Sequence, residues 1–534
     1  MKKLISMILT LCMLMSMTTF SAAFAEEVPT FHIFAGIGTM SPPNETKPMV
    51  KQLNEAAGIN VTWENVTGDM MTERKNLIFA AGEDLPDAFM NAELSDYELM
   101  NYGDQGMLIA LEDYITPEIM PNLCKVLEKR PNMLTQVTMP DGHIYSLPSG
   151  REMGFTGDDG NVYVIGVDPQ FGVINVDWLN KLGLEMPTTM DEYHDVLVAF
   201  KTQDPNGNGV ADEIPLSFKF EDWTAGIGAL FAGFGFTDFN DVNGLGAHRG
   251  VVDGKVVYKA VSEQYKEAIA YISNWYQEGL IDIEVFSQDS AKYISKGKND
   301  EIILGSYFWW EIPEVVGYDR ADMYALMPLL AGPAGEPVMM LREESVVKRG
   351  TFAISKDCED PAKLLSWVDM RYDPVIGMQC NYGPIGEFFE AEPDENGVYV
   401  NAKPAEGTTE GEMKEIMQWA GPFYIMAENY GTVFYMEERA RERLDILKNF
   451  YFAKYNPDPS YTYPDVIFTA EESEIINEIY ADIKNLTSEK TALWLKNGTI
   501  EAEWDAYVEQ LNAMGLQDLL KVWQDAYDRY QAAM

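Results

Sequence analysis

"VPTFHIFAGIG", residues 28–38, alternates apolar with small or polar side chains and ends in glycines, the pattern of a strand running from an edge into a core. "INVTWENVTG" (59–68) reads as a second strand reached through a short helix. "MMTERKNLIFAAGEDLPDAFMNA" then supplies a helix over about 70–81, a Gly-Glu-Asp-Leu-Pro break and a third strand. Strand, helix, strand, helix predicts a parallel α/β layer.

Beyond this layer the helices announce themselves. In "PTTMDEYHDVLVAFKTQ", Thr189 and Glu192 have capping-box spacing, and Tyr193, Val196, Leu197 and Phe200 share one face. His194 falls beside that stripe and reads as a satisfied surface histidine. "SEQYKEAIAYISNWYQEGL" (262–280) repeats the pattern and stops at Gly279. The C-terminal third is strongly helical: Thr469 and Glu472 cap one helix, and two more are broken at Gly515. Trp504, Tyr507, Trp523 and Tyr527 keep helical spacing there and read as packing residues. With 534 residues, the chain is long enough for two or three domains. The expected architecture is two α/β lobes with a helical C-terminal layer.

Residues 1–25 read as an export signal: Lys2 and Lys3, an apolar run from Leu4 to Phe20, then Ala23-Phe24-Ala25 as cleavage site. The residues before Cys12 lack the small side chain of a lipoprotein signal, so cleavage after Ala25 is the expectation. Removing the signal takes away two lysines and no acid, leaving 37 basic against 85 acidic residues, a formal charge of −48. Such a surface repels nucleic acid and anionic lipid. Three cysteines remain (Cys124, Cys358 and Cys380) without Cys-x-x-Cys spacing. A Cys358–Cys380 bridge is conceivable, and buried thiols are the ordinary outcome. The four histidines form no His-Glu-x-x-His motif, and neither a Gly-x-Ser-x-Gly elbow nor a phosphate loop occurs. His143 and Ser149 lack a visible third partner, so nothing written here requires an enzyme.

"DPNGNGVADEIP" (204–215) is the one metal-like stretch. With Asp204 as position 1 of a calcium loop, Asn206, Asn208, the Val210 carbonyl and Asp212 fall at positions 3, 5, 7 and 9, and Gly209 at the bend. Pro215 stands where the bidentate glutamate belongs, with Glu213 as its substitute, so this is not a standard EF-hand. Hard oxygen donors without histidine suit a structural calcium.

"GVINVDWLNKLGLEMPTTMDEYHDVLVAFKTQDPNGNGVADEIPLSF" (172–218), "VVDGKVVYKAVSEQYKEAIAYISNWYQEGLIDIEVFSQD" (251–289) and "RGTFAISKDCEDPAKLLSWVDMRYD" (349–373) resemble family 1 extracellular solute-binding proteins. The resemblance is to the large oligosaccharide-binding subclass serving ABC importers, and it extends into the terminal helices. It implies a two-lobed, type II periplasmic-binding-protein-like (venus-flytrap) fold, a sugar between the lobes, and calcium held by Asp204, Asn206, Asn208, Val210, Asp212 and Glu213. The implied lobes are 26–165 plus about 300–365, and about 166–299 plus 366–534. The implied partners are an oligosaccharide and a membrane permease, for a monomeric protein that is cell-surface associated or periplasmic.

Sugars present flat C–H faces edged by hydroxyls, so their clefts use aromatic platforms ringed by carboxylates and amides. "SYFWWEI" (306–312) follows an apolar strand, making Trp309 or Trp310 the expected platform, with one of the pair turned to the core. Asp222, Trp223, Arg151, Asn381, Tyr382, Glu387 and Trp419 complete the candidate ligand set. The rival reading is a secreted lyase or hydrolase using an Asp/Glu pair.

Overall fold

The computed structural model describes residues 28–534 apart from 39–40, 169, 240–247, 343–345, 405–409 and 420. The signal at 1–25, with Cys12, lies outside the described residues. Thr30–Ile37 is the central strand of a four-stranded sheet, parallel to Asn60–Thr67 on one side and Ala88–Met90 on the other. Phe352–Ile354 closes the edge antiparallel to Ala88–Met90. Period-two alternation sends Phe31, Ile33 and Ala35 into one core and Phe34 into another, so both faces are covered. The helix Pro48–Ala57 begins on proline and ends at Gly58 with φ 64°, burying Met49, Val50 and Leu53.

The second lobe is organised on a sheet ordered Tyr324–Leu326, Phe171–Asn175, Leu304–Trp309, Ile214–Ser217, only its last pair parallel. Both capping boxes exist as read, Thr189 with Glu192 and Thr469 with Glu472. At the C-terminus Leu516–Ala533 packs on Ala470–Asn497, Ile500–Ala513 packs on the helix Glu263–Gln277, and Ala470–Asn497 meets that same helix through buried hydroxyl hydrogen bonds. One of these is Tyr265 to Thr491 at 2.8 Å. Trp504, Tyr507 and Trp523 are buried there. His194 is paired with Glu278 at 2.8 Å. Cys358 and Cys380 are separate buried thiols, and no helix among the described residues is long and apolar enough to cross a membrane.

The two cores assign the chain differently from the sequence expectation. Leu304–Trp309 and Tyr324–Leu326 pair within the second lobe, not the first. Leu364, Trp367, Met378, Phe389, Trp419 and Phe434 belong to the first-lobe core, not the second. The chain therefore crosses between lobes three times: between Leu147 and Tyr163, between Leu341 and Val347, and between Phe434 and Leu447. A small sheet of Ser149–Arg151, Val347–Lys348 and Tyr424–Ile425 sits at these crossings. Short crossing segments carry no compositional mark, which is why their positions were displaced in the sequence reading.

Candidate functional site

The parallel pair Ile214–Ser217 and Leu304–Trp309 ends where Trp223 and Trp310 stand. Ligands meet α/β sheets at the carboxyl ends of strands. Both indoles are half-buried and pack edge to face, 5.1 Å between centroids at 71°. Trp309 is the buried member of its pair at 5% exposure, inside a core with Tyr293, Tyr307 and Val315. Its indole N–H donates to Glu314 Oε2 at 2.7 Å, and Trp310 donates to the same oxygen. One carboxylate thus fixes both rings.

Behind the aromatic pair stand two guanidinium groups. Arg342 lies 5.5 Å from the Trp223 centroid, and Arg443 lies 5.1 Å from that of Trp310. Both are on crossing segments: Arg342 just after Leu341, Arg443 on the helix Glu438–Ile446. Burial pushes Arg443 down to about 10, while Glu311 and Glu314 pull it back up. Asp168, 1% exposed, lies within the field of both arginines. Burial raises its carboxyl to about 7 against the Gln170 N–H, Arg443 and Arg342. Sequence patterning did not single out these residues: "EERARERL" reads as an ion-paired surface helix, and Arg439 does pair with Glu311 at 2.6 Å.

The other sequence candidates separate by role. Asp222 Oδ1 accepts from Thr224 N, Thr224 Oγ1 and Ala225 N at 2.8–2.9 Å, and Lys219 takes Oδ2. Burial would raise its pKa, yet Lys219 and these donors hold it below the ordinary carboxylate range. Asp222 therefore shapes the loop bearing Trp223, helped by the Gln170 amide, which donates to the Asp222 and Trp223 carbonyls at 3.0 and 3.2 Å. Arg151 is exposed beside Tyr430, whose phenol feels its charge. Glu152, next along the strand, is bound by Arg130 at 2.6 Å and lines a crevice of about 650 Å³. None of the sequence candidates lines that crevice. Alternation along an extended chain sends neighbouring side chains to opposite faces, so Arg151 is directed away from it.

Trp419 is not a surface platform. At 1% exposure it packs against Trp63 and Trp367, with the Arg371 guanidinium 3.9 Å from its ring. Asn381 and Tyr382 are buried too, Tyr382 among Phe388, Phe389 and Phe434 with Lys414 4.8 Å over its ring. Glu387 is exposed. The turn-rich look of 379–390 concealed a helix end, Pro374–Tyr382, packed into the first-lobe core.

The 204–213 loop is curled by Gly207 and Gly209 at φ 77° and 74°, with Asp204 itself at 45°. Asp204 accepts from the N–H groups of Gly207, Asn208 and Gly209 at 3.0–3.1 Å. The amides of Asn206 and Asn208 reach Asp212 at 3.0 and 3.1 Å. Glu213 Oε1 is buried without a hydrogen-bond partner. Among the described residues, no three histidine, cysteine, aspartate or glutamate side chains form a group able to hold a metal. A cation here would draw on amide and backbone oxygens as well as carboxylates.

Two sheet-centred lobes, three crossings and an aromatic pair at strand ends define a solute-binding protein. The chain belongs to the family of bacterial extracellular solute-binding proteins, whose model matches residues 39–374. It is 37% identical over 514 residues, 95% of this chain and 91% of the other, to the fructooligosaccharide ABC transporter substrate-binding protein FusA of Streptococcus pneumoniae. The solved structure of that S. pneumoniae protein in complex with kestose superposes with a TM-score of 0.76 at 36% identity, covering 95% of this chain and 100% of that one. Another of its structures, an EF-hand mutant in complex with fructo-nystose, gives 0.76 at 35% identity, with the same 95% and 100% coverage. Between the two sequence readings, family membership decides for binding over catalysis.

Proposed function

We propose that the protein captures an oligosaccharide of the fructan type between its lobes and presents it to the membrane permease of an ABC importer. The observation that carries this reading is the half-buried Trp223–Trp310 pair, set at strand ends and flanked by arginines from two crossing segments. Indole faces meet the C–H faces of sugar rings, and polar groups around them meet hydroxyls. Arg151, exposed at the crossing between Leu147 and Tyr163, would add a first-lobe contact to the same ligand. Binding that contacts both lobes favours the closed arrangement, because a ligand shifts a population only through its differential affinity. The function is tested by titrating the mature protein with kestose and following its radius by solution scattering. Saturable binding with compaction is expected; binding without compaction rules out lobe closure, and release of new reducing ends would restore the enzyme reading. The monomer, the export signal at 1–25 and a location outside the cytoplasmic membrane belong to the same proposal.

The 204–213 loop fits a structural calcium on one point of its geometry, the buried, unpartnered Glu213 Oε1 next to Asp212. Asp204, Asn206, Asn208, the Val210 carbonyl, Asp212 and Glu213 would hold the ion, which when bound neutralises three crowded carboxylates. The loop follows the helix Met190–Thr202 and leads into the strand Ile214–Ser217, so bracing it braces the strand that ends near Trp223. A ligand that binds only the folded state stabilises by about 3 kcal/mol at a hundredfold excess over its Kd. Calcium is therefore expected to raise Tm by several degrees over the chelated protein, and Glu213→Gln to blunt that rise. Equal Tm values with calcium and chelator would remove the metal from the account.

A further inference from the structure

Arg443 is the half-buried guanidinium of this site, and its setting is unusual. Among the described residues its side chain makes no hydrogen bond or ion pair: its only close contact of note is the face of Trp310 at 5.1 Å. Its Nε is buried with no partner. A buried guanidinium ordinarily finds a carboxylate, since leaving its N–H groups unmade is costly. Three carboxylates stand near enough to affect its charge, yet each is engaged elsewhere. Glu311 is held by Arg439 at 2.6 Å, Glu314 accepts both indole N–H groups, and Asp168 accepts the Gln170 N–H at 3.2 Å.

We propose that Arg443 is the specificity-determining donor of the ligand site, offering its fork to a pair of hydroxyl oxygens on an uncharged saccharide stacked against Trp310. Two features of the surroundings give the direction. The guanidinium plane presents parallel N–H groups that match adjacent oxygens, and the indole beneath it supplies a face for the ring that carries them. An acidic sugar would bring a further carboxylate beside Glu311, Glu314 and Asp168, so hydroxyls rather than a uronate fit the charge already present. Arg443 also lies on the helix Glu438–Ile446, which runs on through Leu447 and Tyr451 into the second-lobe core. Its bond to ligand would therefore tie the sugar to a crossing segment.

This inference rests on the cleft reading above, and the experiment separates the two. The mature protein is titrated calorimetrically with kestose and with trigalacturonate, as wild type, Arg443→Gln and Arg443→Lys. The expected result is kestose binding by the wild type, loss of tenfold or more in affinity for Arg443→Gln at unchanged Tm, partial recovery in Arg443→Lys, and no trigalacturonate binding. Should Arg443→Gln fail to fold, Arg443→Lys, which keeps the charge over Trp310, carries the comparison alone and still has to bind more weakly than wild type. Wild-type affinity in the variants overturns the inference while leaving the cleft reading intact. Trigalacturonate binding more tightly than kestose overturns the assignment to uncharged hydroxyls. A wild type that ignores both sugars overturns the cleft reading and this inference with it.

Discussion

Trp310→Ala lowers affinity for kestose by roughly thirtyfold, about 2 kcal/mol, in calorimetric titration. The indole is half-buried and held from three sides: Glu314 on its N–H, Trp223 edge to face at 5.1 Å, and the Arg443 guanidinium over its face. A ring so fixed loses little freedom when sugar stacks on it, and preorganisation is where binding energy survives as affinity. Truncation removes the platform and also releases Arg443 and Glu314 from their arrangement. Stability should fall only modestly, because the ring already faces solvent in part. If Trp310→Ala binds kestose like wild type, the aromatic pair is not the site.

Trp419→Ala behaves in the opposite way, destabilising the protein by about 3–5 kcal/mol in denaturant unfolding. The ring fills a first-lobe cluster with Trp63 and Trp367, centroids 6.2 and 5.7 Å away, and lies beneath a fully buried Arg371. Removing it leaves a cavity and takes away the aromatic face that makes a buried cation tolerable. Arg371 also donates to the Trp419 carbonyl at 2.6 Å, so the backbone there is tied to the same cation. Gly421 fits beside it for want of space: a Cβ would come within 3.0 Å of both Arg371 Nη atoms. Kestose affinity per folded molecule is expected to stay at the wild-type value. A large loss of affinity without loss of stability would place Trp419 in the cleft after all.

These two tryptophans show how far sequence reading reached. Trp310 follows an apolar strand and Trp419 precedes Ala-Gly-Pro, and both satisfy the wish for an aromatic platform. Nothing local separates them, because exposure is a property of what packs from distant parts of the chain. Trp419 is covered by Trp63 and Trp367, residues 356 and 52 positions away in the chain. Arg443 illustrates the converse. Its neighbours in sequence are charged residues of an ordinary-looking helix, and it becomes notable only in the fold, where no carboxylate among the described residues bonds it.

What the sequence determined by itself is what depends on neighbours within a turn or two. The alternation of Phe31, Ile33 and Ala35 wrote a two-faced strand, the Thr189–Glu192 and Thr469–Glu472 pairs wrote helix starts, and the Asp204–Glu213 spacing wrote a curled, oxygen-lined loop. The lobes' membership, the three crossings and the separation of wall from core were decided only in the folded chain. Strand pairing joins segments more than a hundred residues apart, such as Phe171–Asn175 and Leu304–Trp309. Burial of apolar area is non-directional and can be met by any partner of suitable shape, so local pattern leaves the partner unspecified. The register of whole sheets specifies it.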